Sequence, residues 1–319
     1  MKILVIGGNG FIGSHLVESL CKTHEVSVLD RSTNKFTDGF QGVEYIYEDF
    51  QNGEKLKEVL QGKDIVFHLL STTVPITANR NPHYDIESNL IGTLNLLELI
   101  SNSDVKRFIY VSSGGTVYGN PQYLPIDEKH PCNPIGSYGI IKKTIEDYVR
   151  MYSQKGHFSY LIVRPSNPFG PRQNFLGDQG IIAKLLYQGI AGDEFTVWGD
   201  GSAVRDYIFI DDLISFLKKA GLSEISGVYN VGSGKGRSIN DIIEMLKKVT
   251  NQLPSIKYAP KNGFFVEKVV LDVTSSRNTF DWKPEYTMEE GLVIQHNWIK
   301  NVVNQMEQEK QTKPESHIK

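Results

Sequence analysis

A glycine-rich loop near the start of the chain restricts its fold more than any other feature. The loop "GGNGFIG" (7–13) follows the apolar run "KILVI" (2–6) and opens a segment with apolar residues at helical spacing (11–23). In parallel α/β sheets this order of strand, glycine turn and helix forms a diphosphate cradle. There glycine permits positive φ, and the helix N-terminus offers free N–H groups. The sequence therefore predicts that the first strand belongs to a parallel sheet.

Strand and helix patterns alternate through the first half of the chain. Each strand pattern is apolar along nearly its whole length, as expected for strands covered on both faces. The predicted fold class is α/β, a Rossmann-like doubly wound parallel sheet with a smaller mixed α/β substrate-binding lobe. The predicted strands are 2–6, 25–30, 43–49, 64–70, 107–113 and 159–165, and the main helices are 11–23, 53–62, 82–103 and 137–155.

The composition excludes several functions. The formal net charge of -3 gives no support for a broad nucleic-acid surface. The two cysteines, Cys21 and Cys132, suggest neither a disulfide framework nor a metal site, and they fit a reducing compartment. No apolar stretch reaches the ~20 residues that span a bilayer. We therefore expect a cytoplasmic protein with no metal, no nucleic-acid partner and no membrane partner.

Asp30, at the end of the second predicted strand, indicates which dinucleotide the loop binds. A carboxylate here accepts hydrogen bonds from the adenosine ribose and repels a 2′-phosphate, which favours NAD over NADP, although Arg31 could accommodate a phosphate. Asp49, after the third strand, is assigned to the adenine edge, with an exposed turn acid as the alternative. The other residues assigned to NAD on and beside these strand ends are Gly7, Gly10, Phe11, Ile12, Gly13, Phe50 and Leu69.

Tyr138 and Lys142 form a second candidate constellation. They are four residues apart on a predicted helix, so their side chains share one face. The ordinary tyrosine pKa of about 10 is too high for a general base, but a lysine ammonium and an oxidised nicotinamide both lower it. We predict that Tyr138 removes a hydroxyl proton while the carbon gives its hydride to NAD, and that Lys142 also holds the nicotinamide ribose. The alternative is an exposed helical Tyr and Lys.

With further segments, the chain resembles the extended short-chain dehydrogenase/reductase family, in particular the NAD-dependent nucleotide-sugar epimerases and dehydratases of the UDP-glucose 4-epimerase type. The resemblance covers about residues 1–300. It rests on the segments "GGNGFIG", "LD" (29–30), "DIVFHL", "SNLIGTLNLLE", "SSGGTVYG", "SYGIIKK", "RPSNPFGP", "WGDGSAVRDYIFIDDL" and "YNVGSG".

The resemblance implies a division of labour along the chain. We expect an NAD-binding Rossmann-like domain at 1–165, to which 227–250 could return, and a substrate-binding lobe at 166–303. The lobe would bind a nucleoside diphosphate sugar, and the resemblance alone implies that this is a UDP-sugar. The polar segment 304–319, which contains a proline, is predicted to be a disordered tail.

Three further residues match functional positions of the family. Asn89 matches an asparagine near the cofactor, with a satisfied polar position on a packed helix as the alternative. Asn167 matches a contact to the substrate diphosphate. Arg205 matches a phosphate-binding arginine, whose guanidinium suits bidentate bonds to phosphate oxygens. The alternative for Arg205 is an internal salt bridge with Asp206 or Asp211.

The chain departs from the family pattern at two places. Gly114 stands where members commonly carry Ser or Thr, so a substrate hydroxyl contact has to come from a neighbour, and we expect Thr116 rather than Ser113. The segment "PKNGFFVEKVVLD" (260–272) lacks the arginine often found there for the second phosphate contact. Either Lys261 or Lys268 substitutes for it, or the contact is absent.

The strand end "SSGGTVYG" also discriminates between the reactions of the family. Dehydratases use an Asp-Glu pair just before "VYG", and xylose-forming decarboxylases place a Glu two residues before that tyrosine. This chain has Gly115 and Thr116 there, and neither replaces a carboxylate in proton transfer. Epimerisation at carbon 4 needs only hydride removal to NAD, rotation of the 4-keto sugar and hydride return to its other face. The missing carboxylates therefore favour an epimerase.

Three other functional hypotheses remain open at this point. The alternatives are a nucleotide-sugar oxidoreductase with net cofactor turnover, a dehydratase of the same family, and an inactive NAD-binding scaffold or redox sensor. The Tyr138–Lys142 pair argues against the scaffold.

The predicted helices 82–103 and 137–155 carry more apolar residues than one sheet face needs. The matching helices of the family pair across a two-fold axis, so we predict a homodimer.

Overall fold

The chain folds into two compact units, and neither is contiguous in sequence. The computed structural model describes residues 1–156, 158–177, 179–260 and 266–312, with only the backbone for 310–312. Within these ranges no helix is both long and apolar enough to cross a bilayer. The first unit comprises Met1–Pro168, Val204–Arg237 and Phe265–Glu285, and the second comprises Phe169–Ala203, Ser238–Phe264 and Tyr286–Lys319.

Strands and helices alternate along most of the chain. The strands are β1 (Lys2–Ile6), β2 (Glu25–Asp30), β3 (Val43–Tyr47), β4 (Ile65–His68), β5 (Arg107–Val111), β6 (Ser159–Pro165), β7 (Asn167–Phe169), β8 (Glu194–Trp198), β9 (Val204–Phe209), β10 (Gly227–Val231), β11 (Gly236–Ser238), β12 (Ser255–Ala259) and β13 (Lys268–Val269). The α-helices are α1 (Phe11–Leu20), α2 (Gly53–Leu60), α3 (Pro75–Arg80), α4 (Pro82–Asp85), α5 (Gly92–Ser101), α6 (Ser137–Gly156), α7 (Ile181–Ala191), α8 (Ile210–Gly221), α9 (Ile239–Val249), α10 (Thr274–Phe280) and α11 (Met288–Thr312), and a π-helix spans Ile86–Ile91.

A seven-stranded parallel sheet organises the first unit. Its order is β10–β6–β5–β4–β1–β2–β3, and every neighbouring pair is parallel. The chain runs outward from β1 to β3 and then crosses to β4 on the other side of β1, so the strand order reverses between β1 and β4. In doubly wound sheets ligands bind at such a switch point, beyond the carboxyl ends of the strands.

Both faces of this sheet are covered, which explains the continuous apolar runs in the sequence. Four consecutive residues of β1 and all residues of β4 and β5 are buried. Helix α1 packs against α8, whereas α2 and α6 both pack against α5. Because successive residues of a strand point to opposite faces, a strand buried at every position needs cover on both sides. The predicted Rossmann-like doubly wound sheet is confirmed.

The predicted long helix 82–103 is wrong in detail, because it is divided into three parts. Helix α4 has its N-terminus capped by the Asn81 side chain, which accepts a hydrogen bond from the Tyr84 N–H. A π-helix then runs to Ile91, and α5 continues from Gly92. The buried polar side chains Ser88 and Asn89 lie in the π-helical turn. Widened turns of this kind are rare and often occur at functional sites.

The remaining strands form two smaller sheets. One has four short strands, with the order β11–β9–β13 and with β7 also paired to β9. In the second unit β8 and β12 form a parallel pair, and α11 packs against α7 and α9. The predicted smaller lobe with mixed α/β structure is therefore present as several chain segments.

The predicted boundaries differ from these units. Strand β10 lies at the sheet edge beside β6, whereas α9, within the predicted return 227–250, belongs to the second unit. Residues 204–237 and 265–285 of the predicted lobe 166–303 belong to the first unit. Such long-range pairing leaves no mark in local sequence patterns. Helix α11 continues to Thr312 into the predicted disordered tail 304–319, because the segment is rich in Gln, Glu, Lys and Met, which favour helix. Residues 313–319 lie outside the described part.

Candidate active site

The glycine loop lies at the switch point between β1 and β4, and its glycines are required by crowding. Gly7 has a φ of 80°, and a Cβ on it would be 2.8 Å from the backbone nitrogen of Leu70. A Cβ on Gly13 would be 2.2 Å from the Gly7 carbonyl oxygen. Gly10 precedes α1, whose N-terminus has no side-chain cap. The loop is therefore a narrow cradle of bare backbone at a free helix N-terminus, which fits a diphosphate.

Asp30 lies next to this loop, as the sequence predicted. It ends β2 and is 9% exposed. Its carboxylate accepts hydrogen bonds from the backbone N–H groups of Asn9 (3.1 Å) and Ser32 (3.2 Å). Together with a bond from the Ser32 hydroxyl (3.3 Å), these bonds hold the carboxylate at the loop and leave about one of its roughly four acceptor positions for a ribose hydroxyl.

The structure places Asp49 and Phe50 differently from each other. Asp49 is exposed and accepts a hydrogen bond from the backbone N–H of Gln51 (2.8 Å), the arrangement of a turn acid. Phe50 is 6% exposed and stacks on the ring of His68, with ring centroids 5.2 Å apart. Phe50 is therefore a core side chain of the first unit. Its assignment to NAD stays a prediction.

The other residues assigned to NAD line the same sheet edge. Phe11 and Ile12 are partly buried in the first turn of α1. Leu69 is partly buried after β4, and its N–H donates to the carbonyl oxygen of Ile6 at 3.0 Å. The structure thus brings both loops of the switch point together, one after β1 and one after β4.

Tyr138 and Lys142 share one face of α6 and meet the end of β5. The Lys142 ammonium donates to the carbonyl oxygen of Val111 at 3.0 Å. It lies 4.9 Å from the ring centroid of Tyr110 and 5.6 Å from that of Tyr138. The side chain is only 5% exposed. The alternative of an exposed helical Tyr and Lys does not describe this lysine.

Burial dominates the electrostatics of the pair. It raises the pKa of Tyr138 to about 12, which a hydrogen bond with Ser71 counteracts and the Asp85 carboxylate reinforces. It lowers the pKa of Lys142 to about 8, against Asp85 and Glu146, which raise it. Burial therefore outweighs the decrease in the Tyr138 pKa that the sequence predicts from the nearby lysine.

Asn89 lies beside the pair, and both ends of its side-chain amide are hydrogen-bonded within the protein. Its amide nitrogen donates to Asp85 Oδ1 (2.9 Å) and to the hydroxyls of Thr72 (2.9 Å) and Thr73 (3.2 Å). Its amide oxygen accepts from the Thr72 N–H at 2.9 Å. Asn89, Tyr138 and Lys142 line one small enclosed cavity. Asn89 is therefore a buried, hydrogen-bonded amide, as in the alternative interpretation, and it lies at the wall of the candidate site.

The strand end after β5 explains the glycine at 114. A Cβ there would lie 2.6 Å from a methyl carbon of Leu271 and 3.0 Å from the carbonyl oxygens of Arg164 and Pro165. A side chain at this position would require the Leu271 side chain to move and the two carbonyl oxygens to shift slightly. The Thr116 hydroxyl is buried without a hydrogen-bond partner among the described residues, and Ser113 is partly buried nearby. An unpaired buried hydroxyl is rare because it costs free energy, so Thr116 is available for a ligand.

Asn167 lies near the same strand end, and Arg205 lies on β9. Asn167 donates to the carbonyl oxygen of Asp206 at 2.9 Å, and its amide oxygen would be 3.9 Å from a Cβ on Gly115. Arg205 donates to the carbonyl oxygen of Val204 at 2.8 Å. Asp206 instead accepts from the N–H groups of Ser233 and Gly234.

The salt-bridge alternative for Arg205 is thus not observed, since in the described residues neither Asp206 nor Asp211 pairs with it. Burial lowers the pKa of the Arg205 guanidinium, and Tyr207 and Glu267 oppose this. Of the two candidate lysines for a second phosphate contact, Lys268 is exposed on β13. Lys261 lies outside the described residues.

Sequence reasoning missed a set of buried polar side chains around the pair. Glu146 and Arg164 are 0% and 3% exposed and form a two-bonded ion pair at 2.5 and 2.9 Å. Ser112 donates to Glu146 at 2.5 Å. Glu146 lies four residues after Lys142, so helical spacing was a usable signal for it. Asp85, four residues before Asn89, carried the same signal.

A sequence model of the NAD dependent epimerase/dehydratase family matches residues 3–232. The chain belongs to this family. One relative in the family, named a putative UDP-glucose 4-epimerase of Methanocaldococcus jannaschii, is 33% identical over 307 residues, which cover 94% of this chain and 98% of the relative. The resemblance that the sequence motifs indicated is therefore confirmed.

Solved structures extend the family likeness to the whole fold. The UDP-glucose 4-epimerase of Thermotoga maritima, solved with UDP-glucose, has a TM-score of 0.90 and 32% identity, with 95% of this chain and 100% of that chain covered. The Thermus thermophilus UDP-glucose 4-epimerase, in complex with NAD, has a TM-score of 0.88 and 29% identity, covering 94% and 99%. The epimerase/dehydratase family is NAD-dependent, in agreement with the cofactor predicted from the glycine loop and Asp30.

Proposed function

We propose that this protein is an NAD-dependent epimerase that inverts carbon 4 of a nucleoside diphosphate sugar, a UDP-hexose, through a transient 4-keto sugar. The observation that carries the proposal is the strand end after β5. It presents Ser113, Gly115 and Thr116 beside the Tyr138–Lys142 face and no carboxylate for a dehydratase or decarboxylase step. The names of the relatives and solved structures point to the same reaction.

The two buried carboxylates near the pair do not supply that missing acid. Glu146 is neutralised by Arg164 and also accepts from Ser112. Asp85 accepts from Thr73, Asn89 and Ser137. A carboxylate held by several donors in a buried position is poorly suited to exchange protons with a substrate. Tyr138 is therefore the acid–base group of the proposed reaction.

NAD would be held by the glycine loop and Asp30. The crowded backbone of Gly7 and Gly13 fits the diphosphate, and the Asp30 carboxylate fits a ribose hydroxyl. When bound, NAD supplies the acceptor and donor of the hydride at carbon 4. We infer that it stays bound through turnover, because each cycle regenerates it.

The residues of this chain handle the proton and the sugar oxygen. Tyr138 takes the proton of the 4-hydroxyl as the ketone forms and returns it when the alcohol is restored. The Lys142 ammonium, oriented by the Val111 carbonyl oxygen, stabilises the phenolate. The unpaired Thr116 hydroxyl donates to the carbon-4 oxygen, with Ser113 as the alternative donor.

The nucleotide must be held firmly while the sugar turns. Asn167 and Arg205 are proposed as the diphosphate contacts. The second amide N–H of Asn167 and most of the five N–H donors of the Arg205 guanidinium are not used by the backbone contacts described above, so they can donate to phosphate oxygens. UDP is proposed as the nucleotide because the Thermotoga maritima neighbour was solved with UDP-glucose.

A homodimer in the cytoplasm is part of the proposal. Large apolar side chains are exposed on the π-helix and on α6, where a partner helix pair would cover them: Ile86 (40%), Ile91 (46%), Ile140 (49%) and Met151 (47%). Exposed apolar surface on adjacent helices is typical of a protein–protein contact. Light scattering at micromolar concentration should give the mass of a dimer, and a monomer mass would contradict it.

The decisive experiment is interconversion of UDP-sugar epimers followed by proton NMR, with no NAD added. We expect wild-type protein to interconvert at least one pair and to retain NAD after purification. Tyr138→Phe should lower the rate by about 10²–10⁴-fold and keep the NAD. Tyr148→Phe, ten residues further along the same helix, is the control and should retain activity. Net consumption of NADH without interconversion of epimers would contradict the epimerase and favour an oxidoreductase.

A further inference from the structure

Asp85 is a buried carboxylate that the proposed chemistry does not use. It ends α4 and is 1% exposed. Its Oδ1 accepts from the Thr73 hydroxyl (2.7 Å) and the Asn89 amide (2.9 Å), and its Oδ2 accepts from the Ser137 hydroxyl (2.7 Å). All three donors are neutral, and no described Lys, Arg or His forms an ion pair with it. A buried charge without an oppositely charged partner lowers the stability of the folded state, so a carboxylate at this position needs an explanation.

The three donors come from three segments that build the candidate active site. Thr73 follows β4, Asn89 lies in the π-helix, and Ser137 is the first residue of α6. Ser137 immediately precedes Tyr138. Asp85 therefore ties the first turn of α6, and with it the tyrosine, to the two other walls of the enclosed cavity.

The charge of Asp85 also acts on Lys142, across the same cavity. The other groups that face Lys142 are His68 from β4, Tyr110 from β5, and Tyr138 and Glu146 from α6. Burial lowers the pKa of His68 to about 3, so the imidazole is neutral. Glu146 has Arg164 as its counter-ion. Of the carboxylates acting on Lys142, Asp85 is the one without a cation in contact.

We propose that Asp85 is the positioning residue of the Tyr138–Lys142 pair, fixing the first turn of α6 through Ser137 and supplying the negative charge that keeps Lys142 an ammonium. The inference rests on the proposed function, in which that pair carries the proton. The two roles of Asp85 are separable, because one depends on a hydrogen bond and the other on a charge.

Asp85→Asn removes the charge and keeps the shape. Its amide oxygen still accepts from Thr73 and Asn89, and the Ser137 hydroxyl can accept from the new amide N–H. Lys142 then loses its proton at lower pH, and Tyr138, relieved of a nearby negative charge, also does so. We expect both limbs of the pH profile of kcat/KM to move down by about one pH unit. If Asp85 had only a structural role, Asp85→Asn would lower kcat/KM at every pH, and both limbs of the profile would stay at the same pH values.

Three variants separate the contributions. Ser137→Ala removes the hydrogen bond and keeps the charge, so it should lower kcat at every pH with unmoved limbs. Asp85→Glu keeps the charge, so its limbs should stay near those of wild type even where its rate falls. Glu87→Gln makes the same chemical change on an exposed side chain two residues away and should leave the profile unchanged. Thermal melting shows whether each variant is folded.

A titration independent of activity separates this inference from the proposed function. The Cε resonance of Lys142 in protein labelled with ¹³C-lysine, assigned by its loss in Lys142→Met, reports the lysine pKa directly. The midpoint should be lower in Asp85→Asn than in wild type and Glu87→Gln. An unchanged midpoint would overturn the role of Asp85, whatever the enzyme does. A shifted midpoint in a protein with no epimerase activity would support Asp85 and contradict the proposed reaction instead.

Discussion

Gly13 lies so close to Gly7 that a Cβ built on Gly13 would be 2.2 Å from the Gly7 carbonyl oxygen. The same oxygen accepts the Gly10 N–H at 3.2 Å, which closes the loop. The first turn of α1 and the end of β1 are thus in backbone contact, and no side chain separates them. This contact brings the free N–H groups of α1 to the switch point of the sheet, where we propose the NAD diphosphate binds.

Gly13→Ala should therefore abolish NAD retention and lower the free energy of unfolding by about 1–3 kcal/mol, as overpacking does. Alanine is otherwise the better helix former, so any loss reports the contact itself. Binding of NAD by calorimetry and urea unfolding measure the two effects. Gly53→Ala, at the start of α2, is the control, because a Cβ there meets nothing within 4 Å. NAD binding by Gly13→Ala at wild-type affinity would disprove the assignment of the loop.

Thr116→Val should have opposite effects on stability and on rate. The Thr116 hydroxyl is buried without a partner among the described residues, so replacing it with a methyl group removes a desolvation penalty. We expect the free energy of unfolding to rise by about 1 kcal/mol. If Thr116 donates to the carbon-4 oxygen, kcat should fall by about 10-fold or more while NAD stays bound.

Ser113→Ala is the matched comparison for this test. Ser113 lies on the same strand end and is partly buried, and we expect a smaller loss of kcat than in Thr116→Val. The double variant shows whether the two hydroxyls replace one another. A large loss of rate in Ser113→Ala alone would reverse the assignment of the donor.

The parallel sheet could be predicted because burial on both faces leaves a direct pattern in the sequence. All four residues of β4 are buried, and each of them except His68 is apolar. The Tyr138–Lys142 pair could also be predicted, since helical spacing is local. The pairing of Glu146 with Arg164 could not, because α6 and β6 meet only in the folded chain. Nor could the hydrogen bonds between Asn89 in the π-helical turn and Thr72, because Thr72 lies in a different loop.

The direction of the Tyr138 pKa shows a further limit of sequence reasoning. A lysine four residues away predicts a lowered value, yet burial raises it to about 12. Spacing reveals which charges are near but not how much water the fold removes, and desolvation is the larger effect for a buried phenol.

The adjacent glycines Gly114 and Gly115 should differ in how substitution affects stability. Gly114→Ser places its Cβ within 2.6 Å of Leu271 and 3.0 Å of two carbonyl oxygens, so it should be destabilised by about 1–3 kcal/mol. It should not gain activity, although it restores the hydroxyl common in the family. Gly115→Ser meets only Asn167 and Ser113, at 3.9 and 4.0 Å, and should fold like wild type. Urea unfolding compares the two, and equal stabilities would contradict the crowding argument.

His68 should make the protein acid-sensitive. The ring is 2% exposed, stacks against Phe50 and Tyr110, and lies 3.0 Å from the Thr93 hydroxyl through Nε2. Burial lowers its pKa to about 3, whereas the unfolded chain has the ordinary value of about 6.5. Above the unfolded pKa the residue is neutral in both states and has no effect. As the pH falls below it, only the unfolded chain binds the proton, so the folded state loses stability.

His68→Gln removes this titration and keeps an amide that can reach Thr93. Between about pH 6 and pH 4.5, wild type should lose about 2 kcal/mol of unfolding free energy more than the variant does, at up to 1.4 kcal/mol per pH unit. Urea unfolding at a series of pH values measures the difference. His83→Gln, at an exposed site, is the control and should follow wild type. The comparison concerns the slope of the unfolding free energy against pH, so any pH-independent loss of stability in His68→Gln cancels. Parallel plots for this variant and wild type would show that His68 is protonated in the folded protein and would contradict the prediction.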